Sequence, residues 1–202
     1  MWRELPAETR DWSEEDWEEF FKRQDERYFA EVQAQSLEQP AEADGTLSPC
    51  GADQASSDAD DEDLIAEDPE YEVELDEELS RIPVLRAAIE FCDRTMEFVS
   101  PICNETRGGP MEYVTRTLCT ECYLVPDYVL AGHEIGYDED TLCGNIALCV
   151  RSRRSINRCI QCLERLGGPS NEACRKLIVR AIVTRVLLDQ RIAELRKKVW
   201  WR

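Results

Sequence analysis

The sequence predicts an all-α fold: a four-helix bundle-like body of two helical hairpins, preceded by an acidic, largely disordered arm that carries one amphipathic helix. Three observations point there. Residues 1–80 hold 28 Asp and Glu against 5 Lys and Arg, and residues 81–202 hold 15 against 19, so the overall charge of −19 describes neither part. From about residue 80 onward, apolar residues recur at three- and four-residue intervals. Two Gly-Gly-Pro stretches, "RGGP" at 107–110 and "LGGP" at 166–169, interrupt that periodicity where hairpin turns are needed. The expected division is a helix-bearing segment over 1–35, an acidic linker over 36–79 and a cysteine-rich helical domain over 80–202.

The arm opens with a helix start. In "DWSEEDWEEFF", Ser13 is placed to cap a helix with Asp16 three residues on, and Trp12 and Trp17 stand where a hydrophobic staple would join them. Trp17, Phe21, Tyr28 and Val32 then share a face, so the spacing predicts a helix from about Glu14 to Gln35. Two readings fit its aromatic residues Trp12, Trp17, Phe21 and Tyr28: docking onto the chain's own body, or binding the groove of a protein partner. The linker is poor in aromatics and rich in Ala, Asp, Ser, Gly and Pro, a composition that buries too little apolar surface to offset its chain entropy. It contains Cys50 and ends in the acidic run 67–80, opposite in sign to "RSRRSINR" at 151–158.

In the body, Leu85, Ile89, Cys92, Met96, Val99 and Cys103 form a heptad seam, predicting a helix over 82–104. Pro110 should open the next helix, which carries Met111, Val114, Leu118, Cys122 and Val125 and should end at Pro126. A loop "PDYVLAGHEIGYDED" is then expected. Asp138 should cap a third body helix with the stripe Leu142, Ile146, Cys149, Ile156, Ile160 and Leu163, closed by "LGGP". The last helix, from about Ser170 to Trp200, carries Cys174, Ile178, Ala181, Leu188, Ile192, Leu195 and Val199. Its polar residues Arg180, Thr184 and Arg185 form only a narrow strip, so it reads as the central or dimer-forming helix. The stretches "CNETRGGP" and "CLERLGGP" share C-x-E-x-x-G-G-P, which fits either a duplicated hairpin or repeated turn chemistry.

Cysteine usage is the chemical peculiarity, nine of the ten lying in the body. No stretch is long and apolar enough to span a bilayer and the first residues lack the order of a signal peptide, so a cytoplasmic chain with reduced thiols is expected. The C-x-x-C pairs Cys119/Cys122 and Cys159/Cys162 fall inside helical patterns, where i and i+3 put two sulfurs on one face. Brought together, the four would make a tetrahedral soft-metal site, for zinc or Cu(I). The competing reading is dry packing, since free cysteine behaves as a small hydrophobe; Cys92, Cys103, Cys149 and Cys174, with Met96, then make a thiol-lined core. Disulfides are the third reading. In outline such a body resembles the cysteine-lined four-helix bundles that store Cu(I), without their repeated C-x-x-x-C spacing.

Catalytic readings find little support. A single histidine, His133, excludes metal chemistry that needs two, and no acid, base and nucleophile can be assembled. The chain therefore reads as a non-catalytic binding or assembly module, with a protein partner or self-association. The alternatives are a thiol redox switch or oxidoreductase, and a nucleic-acid-associated regulator resting on Arg151, Arg153, Arg154 and Arg158. The last lacks interleaved aromatics and shares the chain with an arm of charge −23.

Overall fold

The fold comes from a computed structural model, which describes Thr9, residues 11–38 and residues 82–199, apart from the side chains of residues 31–38 and 169. Every regular element among these residues is helical: α1 Glu14–Glu38, α2 Pro83–Glu105, α3 Glu112–Ile135, α4 Leu142–Leu166, a 3-10 turn Gly168–Ser170, and α5 Glu172–Lys197. Cys50, the acidic run 67–80 and all of the expected linker beyond Glu38 lie outside the described residues.

The expected four-helix body forms. Backbone neighbours run α2 to α3, α3 to α4, α4 to α5 and α5 back to α2, a square bundle. Cross-helix bonds fix the directions. Arg158 reaches Glu121 while Ser152 donates to the Val125 carbonyl. Arg153 reaches Asp189 while Arg185 donates to Asn157. Arg180 reaches Glu90 while Thr184 donates to the Ala87 carbonyl. In each pair of bonds, rising numbers on one helix meet falling numbers on the other, so these neighbours are antiparallel.

On α2 the buried positions are Val84, Leu85, Ala88, Phe91, Cys92, Thr95 and Val99. The expected seam is thus widened rather than followed. Ile89 is exposed, and Phe91 and Thr95 are buried, because α2 has two neighbours, α3 and α5, and presents a broader face than a two-stranded seam.

Three expected boundaries are corrected. Helix α3 begins at Glu112, not Pro110, and runs through Pro126 to Ile135, so most of the expected loop is helical and His133 sits in its last turn. Proline removes one backbone donor, but Val125 and Val129 on either side are buried, and Ser152 Oγ donates to the Val125 carbonyl at 2.7 Å. Packing outweighs the break. Asp138 does not cap α4 with its side chain: its backbone carbonyl accepts from Thr141 and Leu142, and the helix starts at Leu142.

The two Gly-Gly-Pro turns differ in geometry. In the first, Gly108 takes φ 75° and donates to Glu112 Oε2. In the second, Gly167 is extended, Gly168 takes φ 49°, and Asn171 caps α5 by accepting from Ala173 and Cys174. Left-handed backbone falls on non-equivalent glycines, which favours similar turn chemistry over copied hairpins.

The most covered helix is α4, not the last one. It buries 15 residues against 7 on α5, because α3, α5 and α1 all pack on it. Its Gly144, Ala147, Ser152, Ser155 and four cysteines are small enough for close approach on three sides. The narrow polar strip of α5 pointed the other way, yet α5 leaves Val179, Ile182, Val183 and Val186 exposed.

Candidate functional site

Two constellations stand out: the thiol-lined interior and the dock of α1. Cys92, Cys122, Cys159 and Cys162 belong to one apolar cluster with Leu85, Phe91, Leu118, Ile156 and Leu163. The thiol of Cys122 donates to the Cys119 carbonyl at 3.1 Å and lies in the same apolar cluster as Cys92. The neighbouring Cys92 thiol and burial push Cys122 above its ordinary value, while the Cys122 thiol draws Cys92 below its own. Burial raises Cys159, Cys162 and Cys174 as well, and raises Cys149 to about 11. Cys149 and Cys174 are fully enclosed, and Met96 packs half-buried against the cluster.

The four C-x-x-C sulfurs do not gather between α3 and α4 as a set. Cys119 Sγ lies 3.3 Å from Cys103 Sγ on α2, whereas Cys122 is fully buried and its thiol donates to the Cys119 carbonyl. Residues three apart on a helix diverge by about 60° around its axis, enough to send Cys119 to the rim of the α2–α3 seam and Cys122 inside it. Among the described residues, no three or more His, Cys, Asp or Glu stand where they could hold a metal ion, so the geometry lends no support to zinc or Cu(I). Glu121 is buried beside these thiols; one oxygen accepts from Arg158 at 2.6 Å and the other has no hydrogen-bond partner among the described residues.

The dock of α1 starts from its local capping. Asp16 N–H donates to Ser13 Oγ at 3.2 Å and Ser13 N–H to Asp16 Oδ2 at 2.8 Å, while Trp12 and Trp17 meet edge-on with centroids 5.2 Å apart. Trp17 and Phe21 are fully buried against Ala131, Cys143, Ala147 and Leu148 of the body, with Trp12, Phe20 and Tyr128 around them. These aromatics therefore cover their own chain. Tyr28, expected on the same face, is 64% exposed, as is its neighbour Phe29 at 63%. Periodicity identifies a face of α1, but not how far along that face the body extends.

The basic stretch is occupied by acids. Arg151 is buried on α4, reaches Glu18 at 3.2 Å and Asp25 at 2.8 Å, and lies over the rings of Phe21 and Tyr128. Burial opposes its charge, yet Asp25 and Glu18 override that and hold its pKa above the ordinary value. Arg154 pairs with Glu18, Arg153 with Asp189 and Arg158 with Glu121. The partners of Arg151 and Arg154 are thus acids of α1, and these pairings offer no positive sign of nucleic-acid binding. Further clamps hold the dock: Arg196 grips Glu14 through two bonds, and Thr9 donates to the Asp140 carbonyl at 2.8 Å.

Sequence reasoning missed the receiving surface, which is Gly144, Cys143 and Arg151. One signal was present. Gly144 sits inside a helical pattern, where glycine costs stability unless something approaches closely. A Cβ there would lie 2.8 Å from the indole of Trp17.

His133 Nδ1 and Arg191 both bond the hydroxyl of Tyr137 at 2.6 Å, a surface contact tying α3 to α5. Among the described residues no helix is long and apolar enough to cross a membrane. Comparison of the chain with protein-family models, with curated proteins and with solved structures finds no match.

Proposed function

We propose that this chain is a non-catalytic assembly module that pairs with a second copy of itself through the outer face of α5. The observation that carries the reading is an apolar stripe in the open: Val179, Ile182, Val183 and Val186 are each 39–56% exposed. Their spacing keeps them on one side of the helix, and β-branched residues at such positions suit a two-helix seam. Isolated exposed apolar residues need no explanation, whereas four on one face do.

The charges around the stripe favour a copy of this chain over another partner. Glu172, Arg175 and Lys176 stand on its N-terminal side, and Asp189, Arg191 and Glu194 on its C-terminal side. An antiparallel two-fold pairing centred at Ile182 and Val183 brings Val179 of one copy to Val186 of the other. It also sets Lys176 level with Asp189, which pairs with Arg153 on α4 of its own copy, and Arg180 level with Arg185. Parallel pairing would oppose like charges. In this reading the buried thiols are packing groups and α1 is an internal brace, consistent with seven of the nine described cysteines being buried.

Sedimentation equilibrium of the full reduced chain tests this. The expected result is a dimer at roughly 100 µM, equivalent to about −5.5 kcal/mol or tighter, and a monomer with unchanged helicity for Val183→Lys. A wild-type monomer at that concentration overturns the reading. So does a dimer that Val183→Lys leaves intact, or one that forms only with a different protein.

A further inference from the structure

Oxidation chemistry is available at one place in the described chain. Seven of the nine described cysteines are buried; Cys103 and Cys119 are half-buried, and they face each other at 3.3 Å between sulfurs. Cys103 lies in the last turns of α2 and Cys119 near the start of α3, on either side of the turn at 106–111. Among the described residues, the thiol on the same helix that would compete for Cys119 is Cys122, and it is enclosed and donates to the Cys119 carbonyl. The facing helices are held in register here by a second contact, Thr106 Oγ1 to Thr115 Oγ1 at 3.1 Å. Two sulfurs already in contact need only small side-chain rotation to reach bonding distance.

We propose that Cys103 and Cys119 are a peroxide-sensitive disulfide pair that staples α2 to α3. One thiolate attacks a peroxide oxygen and becomes a sulfenic acid, releasing water once the departing hydroxide is protonated. The second thiol then attacks that sulfur, forming the S–S bond and releasing a second water. Both sulfurs lose one electron, hydrogen peroxide gains two, and a low-molecular-weight thiol reverses the step. The bond would close a loop through the first hairpin turn, constraining the unfolded chain while asking little movement of the folded one. This pairing differs from either C-x-x-C motif, in which the cysteines lie three apart on one helix.

The full chain, carrying Cys50→Ser so that the arm contributes no thiol, is reduced, treated with equimolar hydrogen peroxide, alkylated and mapped by mass spectrometry. The expected product has lost two hydrogens, links the peptides of Cys103 and Cys119, and melts about 5 °C or more above the reduced form. Cys103→Ser should abolish the link and leave Cys119 as sulfenic acid or an intermolecular disulfide. Linkage of Cys119 to Cys122, or full alkylation of Cys103 and Cys119 after peroxide, overturns the proposal. Thermal melting of the reduced Cys103→Ser protein confirms that the comparison is between folded chains.

Discussion

Gly144→Ala isolates the contact on which the dock of α1 turns, because two effects of opposite sign meet there. In a helix interior alanine is favoured over glycine by about 1 kcal/mol, so local propensity alone predicts stabilisation. The new Cβ, however, would lie 2.8, 3.0 and 3.0 Å from three indole carbons of Trp17, a side chain with no exposed surface. Ordinary carbon contacts sit at about 3.5–4.0 Å, so the ring must retreat by roughly 0.7 Å within a cluster closed by Phe20, Phe21 and Trp12. Overpacking of that kind costs about 1–3 kcal/mol, leaving a net loss of roughly 0–2 kcal/mol once the propensity gain is subtracted. Trp17→Ala removes the obstacle. It costs about 3–5 kcal/mol by itself, unless α1 undocks first and caps the loss. In that background Gly144→Ala should stabilise by up to about 1 kcal/mol. The double-mutant cycle is read by urea unfolding followed with far-ultraviolet circular dichroism. The same sign and size of effect in both backgrounds would refute the close approach of Trp17 to Gly144.

Three further outcomes are expected. Arg151→Met keeps an apolar stem over Phe21 and Tyr128 but removes the charge between Glu18 and Asp25; since both carboxylates are partly exposed, the loss should be about 1–2 kcal/mol by chemical denaturation. The exposed Arg154→Met should cost less than about 0.5 kcal/mol. Alkaline pH should destabilise the fold through its buried thiols. Burial raises Cys149 from 9.0 to about 11, so below pH 9 it is protonated in both states and its contribution is intact. Above pH 9 the unfolded chain ionises first, and stability falls through pH 11 at about 1.4 kcal/mol per unit for this thiol. Cys122, Cys159, Cys162 and Cys174 act in the same direction and Cys92 in the opposite one. Denaturation midpoints measured from pH 7 to 11 should show a shallower alkaline fall for Cys149→Ala than for the wild type.

The helical class, the contrast between acidic arm and body, the Ser13–Asp16 start of α1 and both hairpin turns are legible in the sequence. All of these rest on interactions within a few residues: a cap, a staple, a glycine with freedom to be left-handed, a period of three and four. Such signals carry about 1 kcal/mol each and hold where nothing larger opposes them. The rest depended on how the helices pack. Pro126 does not end α3, because Val125, Val129 and Ser152 hold the helix together across it. Helix α4 is central because its small residues let three neighbours close in, a property that a search for a continuous Val and Ile stripe overlooks. Trp17 and Phe21 are covered while Tyr28 on the same stripe stands in solvent, since periodicity carries no information about where a neighbour stops. The partner of Cys119 is Cys103 across the hairpin rather than a residue of the second C-x-x-C. Spacing along one helix fixes the angle between two sulfurs, and only the placement of the neighbouring helices fixes what each sulfur meets.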